Sequence, residues 1–372
     1  MINYVNSSFI PWAKPTLWGN EQSFVVEALN STWISGGPFV ERFEKEFSRY
    51  TRSPFALTSS NGTTAIQMAY LALGLKPGDE IIVPGFGFLA AANLALQSGA
   101  KPVFAEVDPD TWLVTAPEIE KCLSPKTKVI VPIHSYGNVC EMDKILELAH
   151  NHNISVIEDA AEAFASVYKG NQAGTIGTIG TFSFQATKTI TTGEGGMVVT
   201  ENRELYDIMA LYRNHGMLRK KYYWHELPGN NFRMTNMQAA LGCAQLECLK
   251  KIVGKRKRVY TQYRKLLSGN DGISLQRFSN NVKPVVWAMA VKLDKAAYPQ
   301  GRDTVIAQMN DLMIETRPGF YCPSFMEFYS SPKLPVCEEI SEQVISLPTY
   351  STISDEQIEF ICTSLIGLQR DS

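Results

Sequence analysis

The sequence predicts an α/β fold: a large domain built on a mainly parallel, mixed seven-stranded sheet flanked by helices, then a small α+β C-terminal domain. Two observations carry this expectation. From about residue 55 to 215, short apolar runs alternate with helical patterns, the rhythm of a parallel sheet with crossover helices. Runs such as Val129-Ile130-Val131 are apolar at consecutive positions, as strands covered on both faces must be.

The strand candidates are 55–58, 80–83, 102–106, 128–133, 155–158, 181–184 and 197–200. Between them, helices are expected at 63–73, 89–97, 142–150 and 203–212. From 235 to 267, apolar residues at mixed three-, four- and seven-residue spacings (Met237, Leu241, Ala244, Cys248, Ile252, Val259) predict one long amphipathic helix linking two domains. A strand at 287–293, a helix at 304–314 and a final helix opening at the capping box Ser354-Asp355-Glu356-Gln357 complete the smaller domain. The expected division is 1–245 and 246–372.

Length and composition narrow the class. The 372 residues leave ample chain for a large core, and 45% apolar with 19% charged residues is a globular composition. Thirty-five basic against 37 acidic side chains leave a formal charge of −2, with no global field to recruit nucleic acid or an anionic membrane. Seven scattered cysteines form no CxxC and have no histidine at zinc-finger spacing, so no metal site is expected. With no leader-like N-terminus and no uniformly apolar 20-residue stretch, a cytoplasmic protein is expected.

Three segments carry chemistry. In Ser59-Ser60-Asn61-Gly62-Thr63-Thr64-Ala65 a strand end runs through small polar residues into a helix, whose free amides and hydroxyls suit a phosphate. An ordinary capped helix start is the other reading of the same letters. Next, Val156-Ile157-Glu158-Asp159-Ala160-Ala161-Glu162 places carboxylates at the C-terminal end of an apolar strand, the edge where open α/β sheets bind ligands. A carboxylate there can keep a pyridinium nitrogen protonated; an N-cap Asp beside a solvated Glu is the alternative.

Third, Lys188 is flanked by uncharged stretches at 174–187 and 189–193. Desolvation lowers an amine's pKa and frees it as nucleophile and base. Gly193, Gly195 and Gly196 then permit either close backbone approach to a cofactor or a simple turn. Two nucleotide motifs fail on the letters. No glycine stands before Lys188 as a P-loop requires, and Gly174, Gly177 and Gly180 have the wrong spacing for a dinucleotide loop.

Taken with Phe182-Ser183-Phe184 and Asn231-Phe232-Arg233-Met234, these segments resemble the pyridoxal 5′-phosphate (PLP)-dependent sugar aminotransferases of the aspartate aminotransferase superfamily, fold type I. The likeness runs from about Pro15 to Leu365. It implies that Lys188 binds the cofactor covalently and shuttles the substrate proton, and that Asp159 partners the pyridine nitrogen. It also implies that Gly62, Thr63 and Ser183 hold the phosphate, that Phe88 stacks on the ring, and that Glu162 lies near it. Asn231 matches a residue that crosses a dimer interface to the neighbouring cofactor, so a homodimer is implied.

Within the family, Gly19-Asn20-Glu21, Trp33-Ile34-Ser35 and Tyr223-Trp224-His225 look most like enzymes that aminate C4 of a nucleotide-linked 4-keto-6-deoxyhexose, with L-glutamate as donor. The basic then aromatic segment 217–224 makes Arg219, Tyr223 and His225 candidates for the sugar nucleotide, and a solvated face is the other reading. Arg317 matches a family arginine facing a diphosphate or a donor carboxylate. Phe325 stands where relatives often carry histidine, which bears on substrate preference. The rivals are a 3-keto-sugar aminotransferase, a PLP-dependent dehydratase (disfavoured because that branch replaces the lysine with histidine) and a non-catalytic sugar-binding protein.

Overall fold

The computed structural model describes residues 9–218, 220–221 and 223–370. Helices α1 (Glu21–Asn30) and α2 (Pro38–Thr51) come first, followed by β1 (Phe55–Ser59), α3 (Gly62–Ala72), β2 (Glu80–Pro84), α4 (Ala90–Gln97) and β3 (Lys101–Ala105). The alternation continues through α5 (Ala116–Glu120), β4 (Thr127–Ile130), α6 (Met142–Asn151) and β5 (Ser155–Asp159). A short hairpin, β6 (Val167–Tyr168) and β7 (Asn171–Gln172), precedes β8 (Ile179–Ser183), β9 (Gly196–Thr200) and α7 (Arg203–Arg213).

Seven of these strands form one sheet in the order β1-β9-β8-β5-β4-β2-β3. Only β9 runs against its neighbours, pairing antiparallel with β1 and β8, so the other six strands point the same way. Their carboxyl ends therefore share one edge, and each expected strand is present within a few residues. The strand expected at 128–133 leaves the ladder after Ile130, keeping only an isolated bridge from Ile133 to Asp159.

Local chemistry sets the elements around that edge. Helix α3 starts with a full capping box: Asn61 accepts from the Thr64 amide, and the Thr64 hydroxyl accepts from the Asn61 amide. Helix α2 turns Phe39, Phe43 and Phe47 inward at four-residue spacing, against Phe164, Phe182 and Phe184 under the sheet. Sequence patterning overlooked both N-terminal helices.

The expected single helix over 235–267 is two helices, α8 (Asn236–Glu247) and α9 (Leu249–Leu267), separated at Cys248 with φ −89° and ψ 0°. Each has its own apolar partners: α8 packs on α1 and α2, whereas α9 packs on the last helix. The remaining elements are β10 (Ile273–Leu275), β11 (Val282–Lys283), β12 (Met289–Leu293), α10 (Arg302–Asp311), β13 (Arg317–Pro318), α11 (Pro335–Gln343), β14 (Val344–Leu347) and α12 (Asp355–Ile366). Four of the strands form an antiparallel sheet, β10-β12-β14-β13, covered by Val259, Tyr263, Leu267, Ile358 and Ile361. Among the described residues no helix is long and apolar enough to cross a membrane.

Candidate active site

The shared carboxyl edge of the sheet opens into a cavity of about 770 Å³. Its walls come from successive strand ends: Asn61 to Thr64 after β1, Phe88 after β2, Ile133 and Tyr136 after β4, Asp159 to Glu162 at β5, and Ser183 to Lys188 after β8. Trp12, Trp287, Arg317, Phe320 and Ser346 close it from elsewhere in the chain. This is where open α/β sheets place ligands, because the strand ends and helix N-termini there leave polar groups exposed.

Consecutive strand residues face opposite ways, which separates the roles of Glu158 and Asp159. Asp159 faces the cavity, is 4% exposed and accepts one hydrogen bond, from the Ala161 amide at 3.1 Å. Its other carboxylate oxygen receives none among the described residues. Burial raises its pKa above the ordinary carboxyl value, against the opposing pull of that amide, Lys188 and His134.

Glu158, which one reading of the sequence left in solvent, is fully buried. It accepts from the amides of Gly174 (2.9 Å), Ile176 (2.5 Å) and Gly177 (2.6 Å) and pairs with His134 Nε2 at 2.9 Å. The Cys140 amide donates to His134 Nδ1, which assigns the ring proton to Nε2, facing Glu158. Glu158 thus ties the 174–177 turn and the 134–140 segment to the strand that carries Asp159.

Lys188 lies at the centre. Its Nζ is 3.5 Å from Glu162 Oε1 and 3.8 Å from the centroid of the Trp287 ring. Glu162 is 3% exposed and its second oxygen accepts from the Tyr136 amide at 2.9 Å. Burial raises the Glu162 pKa, the nearby Lys188 ammonium lowers it, and repulsion from Asp159 adds to the rise. Tyr136 holds a left-handed backbone (φ 61°, ψ 14°) that presents this amide, and its ring stacks on Phe320 and Trp287. Trp287 in turn donates its indole N–H to the Thr187 carbonyl at 2.9 Å.

At the other end of the cavity, the first turn of α3 offers amides without intrahelical acceptors, those of Gly62 and Thr63, beside Ser183. A Cβ on Gly62 would lie 2.8 Å from the Ser183 Cβ, so only glycine lets this turn approach the strand end so closely. An anion-seeking helix terminus, a buried carboxylate with an idle oxygen, the half-exposed ring of Phe88 and an amine suit a flat heteroaromatic with an anionic tail. That is the form of PLP.

The family model of the DegT/DnrJ/EryC1/StrS aminotransferases matches residues 16–366. The chain belongs to this family. A GDP-perosamine synthase of Escherichia coli O157:H7 is 41% identical over 360 residues, covering 96% of this chain and 98% of that one. The aminotransferase from Psychrobacter cryohalolentis is 32% identical with a TM-score of 0.89, covering 97% and 98% of the two chains. Spr1654 of Streptococcus pneumoniae in its PLP form is 25% identical with a TM-score of 0.91, again over 97% and 98%. Like other members of the DegT/DnrJ/EryC1/StrS family, the chain is a PLP-dependent sugar aminotransferase of fold type I.

The structure gathers Lys188, Asp159, Glu162, Gly62, Thr63, Ser183, Phe88 and Arg317 around one cavity. The exposed Arg317 also pairs with Glu315 and covers the Trp12 ring at 4.5 Å. Asn231, Tyr223, His225 and Phe325 do not line that cavity, and Arg219 lies outside the described residues. Tyr223 is 88% exposed, His225 sits in the same turn with Nδ1 against the His215 carbonyl, and Phe325 is exposed at the end of a one-turn helix. Sequence reasoning missed Trp12, Tyr136, Trp287 and Phe320. An aromatic opening a strand candidate was the one available sign of Trp287, and nothing in the letters marks the left-handed Tyr136.

Proposed function

We propose that this enzyme moves an amino group from L-glutamate to a nucleotide-linked 4-keto-6-deoxyhexose, giving a 4-amino-4,6-dideoxyhexose of the perosamine or viosamine type for surface glycan synthesis such as O-antigen. The observation that carries the reading is the near full-length similarity to GDP-perosamine synthases, at 41% and 39% identity, combined with an intact Lys188, Glu162 and Asp159 constellation. Retention of Lys188 speaks against the dehydratase alternative, and the relatives' names favour C4 over C3.

In this reading Gly62, Thr63 and Ser183 hold the cofactor phosphate, Phe88 supplies an aromatic face to the ring, and Asp159 holds the proton on the ring nitrogen. Bound PLP supplies the electron sink and carries nitrogen from donor to acceptor. Lys188 anchors the cofactor and, once free, takes the proton from the donor carbon and returns one to the sugar carbon. Glu162, 3.5 Å from Nζ, holds the amine in place and compensates its charge when it is protonated. The aromatic wall of Trp12, Tyr136, Trp287 and Phe320 restricts water around the amine. Arg317 faces the diphosphate or the donor carboxylate.

The active unit is a homodimer. In support, Asn231 is exposed and lies off the cavity of its own chain, and Trp33, Ile34, Tyr223 and Trp224 are exposed in a single copy. Arg219, Tyr223 and His225 serve the sugar nucleotide, and Phe325 tunes its selection. The division at 245–246, near the α8–α9 junction, and a cytoplasmic location belong to the same proposal.

The test is to offer the holoenzyme GDP- and dTDP-linked 4-keto-6-deoxyhexoses with glutamate and to identify the amino sugar by mass spectrometry and NMR. Amination at C4 of either sugar supports the reading. A product aminated at C3 rejects the positional assignment, and no amino sugar from any keto hexose rejects the substrate class.

A further inference from the structure

A second, small cavity lies behind Lys188. It has room for one water-sized particle, about 20 Å³, and Lys188 lines both it and the active-site cavity. Arg256 and the exposed Lys14 border it, together with hydroxyl residues that include Thr16, Thr189 and Ser351, while the Lys188 amine itself lies against Glu162 and Trp287. No carboxylate is among the described residues that line it.

Arg256, projecting from α9, is 6% exposed and has no acidic partner among the described residues. Its Nη1 donates to the carbonyls of Trp287 (2.9 Å) and Val286 (3.4 Å), and its Nη2 to that of Lys188 (3.4 Å). Burial alone lowers its pKa, to about 10. Its Nε and the Thr16 hydroxyl are buried without any hydrogen-bond partner among the described residues. Glu21, the acid that reaches the lining residue Gln245, is engaged by that side chain at 2.6 Å and by the Trp18 and Gly19 amides.

A buried guanidinium facing only neutral carbonyls, beside a second idle donor, is costly unless a negative group completes the set. A water molecule could accept from both donors but would leave the charge unbalanced. We propose that this cavity binds one monovalent anion of halide size, chloride under ordinary conditions. Sulfate and phosphate are too large for the space. The anion compensates Arg256, which clamps the carbonyls of Lys188 and Trp287, so the site braces the catalytic lysine from its backbone side.

The probe is bromide, used on the holoenzyme. Anomalous diffraction from crystals grown in bromide should show a peak in contact with Arg256 and Thr16. At constant ionic strength, replacing gluconate with roughly 100 mM bromide should raise the Tm by roughly 2 °C. Arg256→Met should lose both the peak and the rise. Thr16→Val, which leaves Arg256 and its clamp intact, should reduce the rise and so keeps the test decisive if the arginine variant fails to fold. A cavity holding water only overturns the proposal. So does a peak without any bromide dependence of the wild-type Tm, or a rise undiminished in Thr16→Val with no peak at this place.

Discussion

Trp287 grips the lysine segment twice: its indole N–H donates to the Thr187 carbonyl at 2.9 Å, and the Lys188 Nζ sits 3.8 Å from its ring centroid. One residue thereby fixes the backbone that carries the amine and the direction the amine takes. Trp287→Phe keeps a ring but loses the hydrogen bond, worth about 1 kcal/mol, so kcat should fall about fivefold. Trp287→Leu removes both contacts and leaves a void, costing about 3 kcal/mol of stability and a larger share of kcat. Steady-state kinetics beside denaturant titration separates the two losses; equal kcat values for the two variants would show that the ring does not orient the amine.

Among the described residues that line the cavity, Lys188 alone carries an amine, and the proposed function assigns it the proton transfers. Lys188→Ala should lower kcat by at least about 10³-fold and abolish borohydride fixation of the cofactor, followed by peptide mass mapping. Lys188→Arg keeps the charge beside Glu162 and should be equally inactive. An active arginine variant would exclude proton transfer by this amine.

For Asp159 the sign of the pH effect follows from its burial. Its folded pKa lies above the unfolded value, so the apoprotein loses stability as pH rises from the unfolded pKa through the raised one. Glu162 shifts the same way and contributes in the same window. Apo Asp159→Asn should therefore be more stable than apo wild type at neutral pH and converge with it in acid, by thermal melts across pH. The same variant should bind PLP more weakly and lose about 10²- to 10⁴-fold in kcat, because an amide cannot hold the ring nitrogen's proton.

Glu158 accepts three amides and a histidine in a fully buried position. Glu158→Ala strands all four donors and should cost about 3–5 kcal/mol, with the cofactor released at lower temperature because the Asp159 strand end loosens. Glu158→Gln keeps the shape and should recover part of both. Differential scanning calorimetry of apo and holo forms reads each separately; an unchanged holo transition in Glu158→Ala would remove its positioning role.

The proposed shared-site dimer makes a complementation prediction. Asn231→Ala and Lys188→Ala should each be nearly inactive alone. Subunits unfolded and refolded together should regain activity, because in a mixed dimer one site carries both lesions and the other none. Absence of rescue in verified mixed dimers would place Asn231 outside the neighbouring site.

Much of this architecture was legible from local pattern. Each strand run and crossover helix emerged within a few residues because strands buried on both faces must be apolar throughout and amphipathic helices must repeat near 3.6. The uncharged surroundings of Lys188 and the strand-end carboxylate Asp159 were likewise visible, since burial of a charge leaves a local compositional trace. Sequence pattern alone predicts one continuous helix over 235–267 because its apolar period runs on through Cys248. The break exists because α8 and α9 pack against different parts of the molecule, which no period records.

The sequence by itself determined the sheet, the edge at which its cavity opens and the uncharged setting of the Lys188 amine. Tertiary structure alone decided which neighbours that amine has. Glu162 at 3.5 Å, Trp287 from the bend before β12 about a hundred residues on, and Arg256 behind the same peptide meet Lys188 only when the chain closes. It also decided that Glu158 is buried while Tyr223 and Phe325 are exposed. The reason is physical: burial and proximity depend on the packing of segments far apart in sequence, whereas hydrophobic period and capping are written within a few residues of each other.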